Sequence, residues 1–183
     1  MPHIHTEENQ HDFTASAHII RLDLGDEPRL MLHMHRKVHM LLQAGGHVEL
    51  EENPWQSIRH ELVEETGYRL DDLKLLQPKI RMKSLKTAVL HPTPVCINTH
   101  SYQKGLDHKH IDTIYAFVAS GAPTEQPLEG ESQDIRWVTL AELKAFKPET
   151  EVSTIAQQVG EFILTVLLEE WELVDPKEYK FTL

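Results

Sequence analysis

The sequence predicts an α/β protein, a mixed β-sheet with helices on both faces. Three observations carry this. Short segments rich in Ile, Leu, Val and aromatic residues recur along the chain, bounded by Gly, Pro and Asp turns. Between them lies one helix with clear signals at both ends, over residues 53–67. Near the end, residues 153–173 repeat apolar residues at helical spacing.

Taken in order, residues 1–13 are polar and His-rich and read as a flexible N-terminus. Residues 14–183 read as a single domain. Residues 14–24 alternate loosely and predict a strand, closed by the turn Gly25-Asp26-Glu27-Pro28. Residues 29–36 and 38–43 predict two short strands or one bent ribbon. Asn53 is a good N-cap with Pro54 at the first helical position. Trp55, Ile58 and Leu62 form an apolar stripe, and Gly67 is expected to end the helix in the left-handed conformation. Residues 70–82 hold a further strand. Pro92 and Pro94 break the chain before a strand pair at 95–102 and 110–119. A loop rich in Gly, Pro and Glu covers 120–133, and a short strand follows at 135–138. Thr139, with Glu142 three residues on, predicts a capping box and a helix through Phe146. In the last helix, Ile155, Val159, Phe162, Ile163, Val166 and Leu167 fit one face, expected to complete the core rather than form a lid or a homodimer face.

Composition limits the function. The formal net charge of −11 and pI near 5.6 argue against a nucleic-acid backbone as partner. One cysteine, Cys96, allows no internal disulfide. It reads as a buried apolar residue rather than a nucleophile. No apolar signal core opens the chain, and no run is long enough to span a bilayer. These features predict a soluble cytoplasmic protein.

The most informative stretch is GHVELEENPWQSIRHELVEETGY, from Gly46 to Tyr68. Glu61, Glu64 and Glu65 stand at i, i+3 and i+4, on one helical face. Like charges at these spacings cost about 0.2–0.5 kcal/mol per pair on a bare helix. The cluster makes physical sense if a cation fills the space between the oxygens, and hard oxygen ligands suit Mg²⁺ or Mn²⁺. Upstream, Gly45-Gly46 lets the backbone turn tightly and a ligand come close. A metal-bound diphosphate fits such a site.

These residues resemble the Nudix hydrolase signature, G-x5-E-x7-R-E-U-x-E-E-x-G-U, where U is a large apolar residue. Gly46, Glu52, Glu61, Leu62, Glu64, Glu65, Gly67 and Tyr68 fall on its positions. The family Arg falls on His60. Arg59, one residue early, is turned about 100° away and cannot replace it, whereas His60 lies nearer Glu64 and can take over part of the orienting role. The resemblance implies an α/β/α sandwich with the signature as loop-helix-loop, extended here by the C-terminal helix. It also implies Mg²⁺- or Mn²⁺-dependent hydrolysis of a phosphoanhydride bond in a small-molecule nucleoside diphosphate derivative.

On that resemblance, Gly45, Glu61, Glu64 and Glu65 are the metal ligands. Glu61, Glu64 and Glu131 are the catalytic candidates, Glu61 being the first choice of base. Glu131 is chosen as an acid recruited from outside the signature, with Glu129 and Asp134 as rivals. Glu52 supports the loop-helix turn or a further metal. Gly46, His35 and Arg36 are the expected substrate contacts, in a segment that also holds His33 and Lys37. The thirteen histidines read mostly as surface residues, with a pocket rim for anionic substrate as the alternative. His108, His110 and Asp112 have the look of a metal site. Alternation puts all three on one face of any strand, however, and a solvated face is the expectation. Two other readings remain: a Nudix-fold nucleotide-binding or regulatory module with weakened hydrolysis, and a relative of isopentenyl diphosphate isomerase. The intact acidic set opposes the first. The intact signature and the plain context of Cys96 oppose the second.

Overall fold

A computed structural model describes residues 10–101 and 108–182. Among these, nine strands form one mixed sheet. They are β1 (His11–Arg21), β2 (Arg29–Met34), β3 (Leu41–Leu42), β4 (Ala44–His47), β5 (Leu73–Pro78), β6 (Cys96–Ser101), β7 (Lys109–Ala119), β8 (Ile135–Val138) and β9 (Trp171–Val174). The two longest, β1 and β7, run parallel side by side from His11↔Lys109 to Arg21↔Ala119. Every other pairing between named strands is antiparallel. β1 meets β4 at residues 14–17 and β2 at residues 20–21, so its neighbour changes at His18 and Ile19.

Helices cover both faces. The first, α1 (Pro54–Thr66), lies on the face lined by Ala15, Ala17 and Ile19. Its start is fixed as expected: Asn53 accepts from the amides of Trp55 and Gln56, and Gln56 accepts from the Asn53 amide at 3.0 Å. Its end is Gly67 at φ 73°. Trp55 is fully buried and stacks between Phe117 and Phe181, at ring separations of 6.1 and 5.9 Å. Asn53 Nδ2 also donates to the Phe181 carbonyl.

The opposite face carries α2 (Leu140–Ala145) and α3 (Thr154–Phe162). Ala156, Ile163 and Leu167 pack there on Ile20, Leu30, Leu32 and Val118, so the C-terminal helix completes the core. A Cβ on Gly160 would stand 2.5 Å from Leu30 Cδ2, which shows how tightly α3 seats. Beyond Phe162 the helix widens into a π-turn at Ile163–Leu167 and closes with α4 (Leu168–Glu170).

Several boundaries differ from expectation. β1 begins at His11, so residues 11–13 belong to the sheet, and Asp12 is fully buried. The remainder of the expected flexible terminus, residues 1–9, lies outside the described residues. β2 stops at Met34, which leaves His35 and Arg36 in the connection to β3. Gly45 and Gly46 are strand residues in β4 rather than a turn. The expected last helix ends at Glu170. Trp171–Val174 instead pair with β5, because the neighbouring strand supplies backbone partners that a frayed helical end would lack.

Candidate active site

The carboxylate cluster is assembled by α1, β4 and the loop before β8. Gly45 adopts φ 148°, and a Cβ there would stand 2.4 Å from the Ala15 carbonyl. Only glycine suits that conformation. The strand thereby presents the Gly45 amide to Glu65 Oε2 at 2.8 Å. At Gly46, an added Cβ would stand 2.0 Å from Glu61 Oε1. The bare α-carbon therefore leaves the room that the Glu61 carboxylate occupies.

Glu65 is the electrostatic centre of the group. Burial and the neighbouring Glu61 push its carboxyl well above the usual range, the Gly45 hydrogen bond opposes this, and Glu131 and Glu64 add to it. The residues expected from the resemblance, Glu61, Glu64, Glu65 and Glu131, thus do come together. Glu131 reaches the group from 66 positions along the chain because its loop docks on the end of α1. The Leu128 amide donates to the Glu64 carbonyl and the Glu125 amide to the Gly67 carbonyl. The two rivals are turned elsewhere: Asp134 pairs with Arg136 at 2.7 Å, and Glu129 is exposed.

His60 occupies the place of the signature arginine. Its Nδ1 is 3.0 Å from Glu52 Oε1 and its Nε2 is 3.5 Å from Glu61 Oε1. Glu61 does most to raise its pKa to about 9, with Glu52 and Glu64 adding to that, although Glu52 stands closer. The imidazolium therefore bridges two signature acids. Arg59 lies over the Phe181 ring at 5.1 Å, away from them.

A cavity of about 760 Å³ opens beside this cluster. Gly45, Gly46, Glu65 and Glu131 line it, together with His33, His35, Arg36 and Lys37. Arg36 donates to the Gly130 carbonyl, joining the β2–β3 connection to the loop that carries Glu131. His33 is buried, 3.8 Å from Glu65, and burial lowers its pKa to about 4, so it is neutral there. The sequence placed His33 beside the site but did not pair it with Glu65.

The acidic set fits a divalent cation. Glu61 Oε1 is buried, with His60 Nε2 no nearer than 3.5 Å, and Glu65 is held toward its protonated form by burial and by its acidic neighbours. A cation between these oxygens would relieve both. All the donors are hard oxygens, which matches Mg²⁺ or Mn²⁺.

Two expectations need correction. His110 and Asp112 are 7% and 1% exposed, so the H-x-H-x-D segment is not a solvated face. Asp112 accepts from Thr14 Oγ1 and Ser16 Oγ at 3.1 and 2.9 Å, which leaves the two histidines to other neighbours. These contacts depend on the parallel register of β1 and β7, which local sequence does not reveal. Cys96 is half-buried, and burial raises its pKa, so no thiolate is favoured there.

Comparison with known proteins agrees with this geometry. A family model described as the NUDIX domain matches residues 13–158. A search of curated proteins found no match. Among solved structures, a NUDIX-family hydrolase from Clostridium perfringens is 25% identical, with a TM-score of 0.67 over 85% of this chain and 97% of that one. An Ap4A hydrolase binary complex from C. elegans is 18% identical, with a TM-score of 0.58 over 82% and 94%. The NUDIX domain of Shewanella oneidensis NrtR complexed with ADP ribose is 11% identical, with a TM-score of 0.58 over 83% and 86%. The mixed sheet with helices on both faces is the fold of these NUDIX structures. The chain belongs to the NUDIX domain family and is a Nudix hydrolase. Among the described residues, no helix is long and apolar enough to cross a membrane.

Proposed function

We propose that this protein is a Mg²⁺- or Mn²⁺-dependent pyrophosphohydrolase acting on a nucleoside diphosphate linked to another group. The observation that carries the reading is the grouping of Glu61, Glu64 and Glu131 around Glu65, beside a cavity that Glu65 and Glu131 line together with Arg36 and Lys37. Glu61, Glu64, Glu65 and the Gly45 carbonyl would hold the cation. When bound, it would neutralise diphosphate charge and make water more acidic. Arg36, with a planar fork of donors, binds phosphate oxygens, and His35 lies beside it. Gly46 lets the diphosphate come close. Water attacks one phosphorus, the bridging P–O bond breaks, and two phosphate-bearing products leave. The proton lost by the water goes to a carboxylate, Glu61 first, with Glu131 as the acid brought in from the loop. His60 holds Glu61 in place as a positioning residue.

The similar Ap4A hydrolase and the similar NUDIX domain with ADP ribose bound support dinucleoside polyphosphates and ADP ribose as first compounds to try. We place the activity in the cytoplasm, where such nucleotides are made. The test is turnover of a panel of nucleoside diphosphate derivatives by purified protein with Mg²⁺ or Mn²⁺, reading released nucleotide. Hydrolysis lost in Glu64→Gln is the expected result. Tight binding of a panel member without turnover would favour a binding module instead.

A further inference from the structure

A second cluster of ligating side chains lies on strands of the sheet rather than on α1, and two of its members, His47 and His110, line the same cavity as Glu65. Asp12 opens β1 and is fully buried. The parallel register places it directly beside His110 on β7. His47 ends β4, opposite Thr14, and His108 immediately precedes β7. One ligand atom from each of Asp12, His47, His108 and His110 lies within 4.8 Å of all the others. Asp12 Oδ2 is 3.0 Å from His108 Nε2 and 3.5 Å from His47 Nε2. The His110 ring stands nearly perpendicular to those of His47 and His108, at centroid separations of 5.0 and 5.3 Å. The rings radiate around a common point rather than stack.

We propose that Asp12, His47, His108 and His110 hold one structural Zn²⁺, distinct from the cation of the acidic helix. Three imidazole nitrogens and one carboxylate oxygen form a four-coordinate donor set for a borderline-soft ion, whereas Mg²⁺ prefers oxygen alone. With bonds of about 2.0–2.2 Å, tetrahedral ligand atoms stand about 3.3–3.5 Å apart. The Asp12 contacts are already close to that spacing, and the widest pair closes by up to about 1.5 Å. All four positions come from the protein, which marks a structural rather than a catalytic centre.

The two metal positions are separated by the pleat of one strand. Successive residues of a strand point to opposite faces. In β4, Gly46 lies against Glu61 on the α1 side, and His47 turns to the other side, toward Asp12 and His110. Zinc would clip together the start of β1, the end of β4 and the entry to β7. It would hold rigid the strand that carries Gly45 and Gly46.

The test uses untagged protein expressed with zinc, its metal content measured by mass spectrometry. The expected result is one Zn²⁺ per chain in wild type and in Glu64→Gln, and its loss in His110→Ala and His108→Gln. Wild-type protein stripped by chelator and titrated with Co²⁺ should show the intense visible absorption of a tetrahedral site, saturating at one equivalent. That titration decides the matter even if His110→Ala fails to fold. Absence of a tetrahedral Co²⁺ spectrum overturns the proposal. Equal zinc in wild type and both histidine variants also overturns it, assigning the metal to other histidines.

Discussion

His60 Nδ1 stands 3.0 Å from Glu52 Oε1, so an imidazole ties together two acids of the signature from the position where arginine is usual. The same ring reaches toward Glu61. It carries a single donor on each side, where arginine would offer a fork.

Replacing His60 separates a positioning role from a passive one. His60→Arg is expected to keep or raise activity. His60→Ala should lower kcat/KM by about 10–100-fold, the usual effect of losing a group that orients ligands, with the fold intact by circular dichroism. Unchanged kcat/KM in both variants would make His60 a bystander.

The acidic face should bind a cation. Isothermal titration of Mn²⁺ is expected to show weaker binding in Glu64→Gln than in wild type, and equal binding would sink the assignment. Because a ligand of the native state stabilises it by mass action, Mn²⁺ at 100 times its Kd should add about 2.7 kcal/mol. Thermal melts of wild type with and without Mn²⁺ read this directly.

Glu131 lines the cavity with Glu65, whereas Glu129 and Asp134 are not among its lining residues. Glu131→Gln should reduce kcat by about 10²-fold or more if it serves as general acid or base, with little change in Tm. Glu129→Gln and Asp134→Asn should leave kcat near wild type. The choice fails if only one of those two slows the enzyme.

Gly46→Ala places a methyl where Glu61 Oε1 now lies. The carboxylate must move, since the backbone on either side is paired with β1. Mn²⁺ affinity and kcat are expected to fall together, at a stability cost of about 1–3 kcal/mol. Wild-type Mn²⁺ binding in this variant would show that Glu61 is not held there in the working enzyme.

His18 is fully buried, without a hydrogen-bond partner among the described residues, and burial lowers its pKa to about 3. The unfolded chain therefore takes up this proton first, near the ordinary histidine pKa. Stability should fall as pH drops from about 6.5 toward 3, by up to about 1.4 kcal/mol per unit from this residue. His33 and His110, whose pKa values are also lowered, act in the same direction. Urea unfolding between pH 7 and 5 should show a shallower slope for His18→Leu than for wild type. Parallel slopes would remove His18 from the account.

What the sequence revealed was local. The caps at Asn53 and Gly67 and the three acids of one helical face are read from neighbours in the chain, and all stand where expected. Glu131 was found through the family resemblance, because no local pattern ties its loop to the end of α1. Asp12 and His47 were missed for a related reason. Only the registers of β1 with β7 and β4 bring them to the other histidines. Residues 171–173 continue a helical pattern, and pairing with β5 overrides it.

The stacking of Phe181 on Trp55, with the Asn53 side chain bonded to the Phe181 carbonyl, ties the first turn of α1 to a residue 126 positions further along. Exchange of the Gln56 and Ser57 amides with solvent deuterium should then require release of this tail segment. Protection of the tail and of that turn would rise and fall as one cooperative unit.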